Sequence, residues 1–166
     1  MSTQSNLLSP ADEYPIHQTP EPIAVCGSDP NFYDRFWFNA YSADGQSLVA
    51  VAMGLYPNLN VLDAAVSVIH DGVQRSVFAS RLLNLDRMAT EVAPIKVEIL
   101  EPLNKLKVTL AKSEHGLSAE LVFAGRAPPI QEPRFTWRMG TRTIMDLTRM
   151  SQSLTCEGWI EVAVNG

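Results

Sequence analysis

After residue 30, apolar residues recur at every second position through most of the chain, and polar turn residues interrupt them at short, even intervals. A period of two is the pattern of a strand with one buried and one solvated face. Residues 35–41 are rich in aromatics, which suit a pleated surface. Asp44-Gly45 follows, and Asp-Gly between two apolar runs predicts a hairpin turn. Residues 48–53 form the return strand, which Pro57 and Asn58 break. Residues 64–69 and 73–79 form the next pair around Asp71-Gly72. Two such hairpins in succession predict an antiparallel meander.

The second half repeats the theme. Residues 95–100 alternate, Pro102 and Asn104 turn the chain, and Leu106, Val108 and Leu110 alternate with Lys105, Lys107 and Thr109. A turn at Glu114-His115-Gly116 leads to Leu117, Ala119, Leu121 and Phe123, which face inward against Ser118 and Glu120. A proline-rich loop spans 128–133. Residues 141–150 fit either a helix or a strand, and their threonines favour the strand. Residues 159–164 form a last strand, and Asn165-Gly166 is a dipeptide that normally opens a hairpin. No long helix is predicted. Many short strands with turn signals between them predict an all-β barrel or sandwich.

Residues 1–30 differ, with Pro10, Pro15, Pro20, Pro22 and Pro30 among polar residues. Proline offers no N–H to a ladder. This segment reads as an extended arm over a β domain of residues 31–166, with only Ile23-Ala24-Val25 resembling a strand.

Charge and composition narrow the function classes. The net charge is −5, without a basic face, which argues against nucleic acid and anionic membrane surfaces as partners. No apolar run approaches the roughly 20 residues of a transmembrane helix, and the first ten residues lack the features of a secretory signal, so the expected location is cytoplasmic. Cys26 and Cys156 match no metal spacing and read as free thiols, with a disulfide as the lesser alternative. His17, His70 and His115 fall in the arm and in turns, so no metal site is expected, and no nucleotide-binding or hydrolase motif implies a cofactor.

The run Asp34-Arg35-Phe36-Trp37-Phe38-Asn39-Ala40-Tyr41 resembles the opening strand of the AttH/CrtC-like proteins, which include carotenoid 1,2-hydratases; Trp37, Phe38 and Asn39 carry the match. Residues 149–166 are similar to a later segment of that family, and Gly54-Leu55-Tyr56-Pro57-Asn58 to its uncharacterised bacterial members. The resemblance covers residues 33–166. It implies a lipocalin-like (calycin-type) barrel or strongly curled sheet, complete or incomplete here, as the first of two such domains, with a ligand site inside or between them. A second lipocalin-like domain or a homodimer partner is the expected protein neighbour.

The candidate chemistry lies on the aromatic strand. Phe36, Phe38 and Ala40 share one face, and Arg35, Trp37, Asn39 and Tyr41 the other. These aromatics are either core, or Trp37, Asn39 and Tyr41 with Arg35 line an apolar cavity with polar handles. Among the acids Asp34, Glu98, Glu101 and Asp146, Glu98 is expected to face water. Asp146, set among Ile144, Met145 and Leu147, is the candidate acid, and its alternative role is an ion pair with Arg142 or Arg149. Arg134, Arg138, Arg142 and Arg149 read as a solvated rim. Three functions follow: a module binding an isoprenoid, sterol or lipid in a barrel cavity; an enzyme, or half of one, acting on such a molecule by acid-assisted hydration, isomerisation or cyclisation; or a structural β domain with a filled core.

Overall fold

The computed structural model describes residues 8, 10–15, 27–113 and 116–163. The first sheet contains β1 (Asp34–Tyr41), β2 (Ser47–Tyr56), β3 (Val61–His70) and β4 (Val73–Leu82), paired in that order as an antiparallel meander. The second follows with β5 (Glu91–Val92), β6 (Ile95–Glu101), β7 (Lys105–Leu110) and β8 (Leu117–Gly125). After β9 (Ile130–Gln131), the hairpin β10 (Phe135–Met139) and β11 (Arg142–Leu147), and β12 (Met150–Ser151), the chain returns as β13 (Leu154–Val162) to complete the order β13-β8-β7-β6-β5.

Both Asp-Gly turns form as predicted. Asp71 and Gly72 have φ values of 50° and 74°, as a two-residue turn with left-handed central residues requires. The Ser42–Ser47 loop is longer: the Asp44 carboxylate accepts from the Ser42 hydroxyl and from the Gln46 N–H, so the aspartate itself ties the turn.

Alternation places Phe36, Phe38, Val51, Met53, Leu55, Leu62, Ala64 and Val66 on the inner face of the first sheet. Val97, Leu106, Val108, Leu110, Leu121 and Phe123 answer them from the second. Phe38 stacks on Phe123 across the gap, with ring centroids 5.2 Å apart, and on its own strand neighbour Phe36 at 5.7 Å. At one end of β4, Arg81 donates to the carbonyls of Ala89 and Glu91 beside β5. At its other end, Val73 and Arg75 share a pocket with Ile160 and Val162 of β13. Since β5 and β13 are opposite edges, β4 runs across the second sheet from edge to edge. The fold is all-β and antiparallel, and no closed barrel is found among the described residues.

Several local expectations are corrected. The arm is not wholly extended: residues Pro10–Glu13 form a 3-10 turn, and the buried Glu13 carboxylate accepts from the Leu103 N–H at 2.6 Å. The last strand starts at Leu154, because Gly158 at φ 143° keeps the ladder to β8 intact where alternation is lost in the sequence. Strand β10 is an addition to the predicted elements: Phe135, Trp137 and Met139 alternate with Thr136 and Arg138, and all five residues are exposed. The segment 23–25, His17, His115, Cys26 and Asn165-Gly166 lie outside the described residues. No helix among those described is long and apolar enough to cross a membrane.

The arginine group is a rim whose members Arg134, Arg138 and Arg142 are exposed, and two of its arginines, Arg142 and Arg149, also act as a clasp. Arg149 reaches the fully buried Asp34 at 3.1 Å, and Arg142 reaches the buried Asp29 at 2.5 Å. These pairs fasten the start of β11 and the segment that follows it to the entry of β1. Asp146 pairs with neither; Arg134 grips it with two bonds, at 2.5 and 2.8 Å. The register explains the exchange, because Asp146 faces Thr136 on β10, two residues from Arg134.

Candidate ligand groove

The outer face of the first sheet carries the candidate site. Its register sets four residues in one row across four strands: Trp37 opposite Ala52, Ala52 opposite Ala65, Ala65 opposite Phe78. Two exposed aromatics thus flank a floor of methyl groups, with their Cα atoms about 14 Å apart at three strand spacings. Trp37 is 56% exposed and Phe78 77%. The next row is Arg35, Gly54, Asp63 and Ser80; on the other side lie Asn39, Ala50, Ser67 and Ser76. Small residues in the middle strands and large ones on the outer strands make an open groove of about 550 Å³.

Gly54 decides the polar end of the groove. A Cβ there would sit 2.8 Å from Asp63 Oδ1 and 2.9 Å from the Tyr56 ring. Without one, the Tyr56 ring folds over the glycine and brings its hydroxyl to the same spot as the Asp63 carboxylate. Tyr33 stacks on Tyr56 at 5.6 Å. Arg35 lies over the Tyr33 and Trp37 rings at 5.9 and 5.7 Å, and Arg149 covers Tyr33 at 5.6 Å. Guanidinium over a ring is favourable electrostatically and leaves the in-plane N–H edge available to a third group.

Of the residues singled out from sequence, Arg35, Trp37, Asn39 and Tyr41 share the outer face of β1, as their spacing required. The face that closes on the core is that of Phe36 and Phe38. Arg35 and Trp37 line the groove, Asn39 borders it in the adjoining row, and Tyr41 stands one row further away. Asp146 belongs to the β10–β11 hairpin and has no place in the groove. Asp63, Tyr56 and Phe78 were missed. The available signal was the small-residue pattern of Ala50, Ala52 and Gly54 beside Ala65 and Ser67, which becomes a floor only once the strands are in register.

This geometry occurs in a chain whose residues 8–166 match one family model. The chain belongs to the DUF8625 family, a family of unknown function. No curated protein and no solved structure shows significant similarity to this DUF8625 member.

Burial pushes the Asp63 carboxyl above the usual aspartate range, against the hydrogen bonds from Gly54 and Tyr56, which pull it down. Burial likewise raises Tyr56, and the neighbouring Asp63 raises it further. A folded pKa above the unfolded one means the native state holds the extra proton between the two values, so stability falls as pH rises through that window. Asp63→Asn should remove this slope. Urea midpoints measured across the window should decline with pH in the wild type and less so in the variant; parallel profiles would show that the fold leaves this carboxyl's titration unchanged. No cluster of three or more potential metal ligands occurs among the described residues.

Proposed function

We propose that this chain is a binding module that lays a small organic molecule with an apolar face across the outer groove of its first sheet. The observation that carries the reading is the Trp37–Ala52–Ala65–Phe78 row. Aromatic rings of this size seek burial, and two of them left in water on either side of a smooth floor are stabilised by any flat partner that covers them. The polar groups converge at one end, at Asp63, Tyr56 and Arg35, as polar handles do in ligand sites. The isoprenoid, sterol and lipid ligands expected from sequence share the required apolar face. Kinship with the AttH/CrtC-like proteins and a lipocalin-like closure of the sheets stay within the proposal, carried by Trp37, Phe38 and Asn39. Neither is needed for the groove, which lies on the outside of its sheet.

The test is native mass spectrometry of the purified chain after exposure to bacterial extracts, both organic and aqueous. A species retained by the wild type should be lost in a Trp37→Ala/Phe78→Ala double variant. Each substitution sits on the surface and should change stability by no more than about 0.5 kcal/mol. Retention unchanged in the double variant, or no retained species from either extract, would overturn the reading.

A further inference from the structure

We infer that the groove is built for a neutral oligosaccharide, with sugar rings lying on Trp37 and Phe78 and hydroxyls held by Asp63 and Arg35. The inference rests on the binding reading above and names its ligand class.

A pyranose ring has a face of C–H groups and a rim of hydroxyls. Its C–H face settles on an aromatic ring, where weakly positive hydrogens meet the negative π cloud. The groove offers two such rings at opposite ends of one row, both exposed, with only alanine between them. That spacing suits a short chain of linked rings better than one ring, because a single sugar cannot cover both aromatics. An entirely apolar ligand is poorly served here, since such molecules gain affinity by losing most of their surface to an enclosed pocket. The groove is open along its length, and a sugar can leave its outer hydroxyls in water.

Charge supports the same choice. Asp63 and Arg35 stand in one row, two strands apart, with Gly54 between them. The carboxylate offers two acceptor oxygens and the guanidinium a planar fork of donors, each suited to a pair of adjacent hydroxyls. An anionic ligand reaching Arg35 would also meet Asp63, and a cationic one reaching Asp63 would meet Arg35. A neutral ligand rich in hydroxyls satisfies both. Ser80 closes the row with a hydroxyl that donates or accepts. Gly54 has a part in this too: any side chain there would displace Asp63 and Tyr56 from beside the floor.

The experiment is a titration of the full chain with cellohexaose, xylohexaose, mannohexaose, maltohexaose and laminarihexaose. It is followed by calorimetry and by the NMR indole signal of Trp37, identified as the one of three tryptophan signals lost in Trp37→Phe. At least one hexaose should bind saturably and shift that signal, and the matching monosaccharide should bind at least about tenfold more weakly, since it forgoes one stacking contact. Phe78→Ala and Asp63→Asn, checked by circular dichroism for a native fold, should each weaken binding by about tenfold or more, as loss of a ring contact or of a charged hydrogen bond implies. Palmitate and retinol are titrated in parallel. If these shift Trp37 and no hexaose does, the carbohydrate inference falls while the binding module stands. If a hexaose binds equally well to Phe78→Ala and Asp63→Asn, the inference falls as well. If neither hexaose nor apolar probe binds, both readings fall.

Discussion

Phe123→Ala is expected to cost about 3–5 kcal/mol of stability, the range for deleting a buried aromatic side chain. Phe123 is 1% exposed, lies on the inner face of β8 and stacks on Phe38. Its removal takes away one stacked contact between the two sheets. The cavity would be lined by Phe38 on the first sheet and by Leu106, its cross-strand partner on β7. Neither can swing into it without leaving its own sheet, so collapse is only partial and the full cavity term applies. Phe78→Ala removes the same atoms from the opposite face of the first sheet, where the ring is solvated, and should be nearly neutral. Urea unfolding of both variants gives the contrast directly. A Phe123→Ala midpoint equal to that of Phe78→Ala would mean that the two sheets do not share a core.

Gly158→Ala should be of similar severity, about 3 kcal/mol or more, for a different reason. Gly158 holds φ at 143°, where a side chain is strained, and a Cβ there would lie 2.0 Å from the Glu120 carbonyl oxygen. That oxygen is backbone in β8, the partner of β13, and cannot rotate away as a side chain would. Relief requires β13 to lift from β8 around Gly158. Cys156 reports on that motion, since it sits on the half-buried inner side of β13 and burial raises its thiol pKa. In a Cys26→Ser background, labelling of Cys156 by a thiol reagent should accelerate as β13 detaches. A Gly158→Ala variant with an unchanged midpoint and an unchanged labelling rate would show that the strand tolerates a Cβ at this point.

Much of the strand content follows from alternation alone. The two Asp-Gly turns fixed where β1 meets β2 and where β3 meets β4, and the pairing of Phe36 with Phe38 against Arg35, Trp37 and Asn39 was decided by a period of two. What alternation leaves open is which of two apolar-rich faces turns inward. On β1 both faces carry aromatics, so their own composition does not choose. Strand β2 chooses for it: Val49, Val51, Met53 and Leu55 stand on the side of Phe36 and Phe38, whereas the side shared with Trp37 holds only Ala50, Ala52 and Gly54 along most of its length. The heavier apolar face takes the core because burial stabilises in proportion to area.

The groove and the clasp belong to tertiary structure. Asp63 and Arg35 are 28 positions apart in the chain, and only the register through Gly54 sets them at the same level. Arg149 and Asp34 are separated by 115 positions, and Arg134 rather than Arg142 takes Asp146 because of how β10 aligns with β11. Local sequence determined strands, turns and the two faces of each strand, since those depend on the backbone and on near neighbours. Which faces meet, which charges pair and where small residues gather into a floor were decided by contacts between distant segments, whose energies exist only once the sheets have formed.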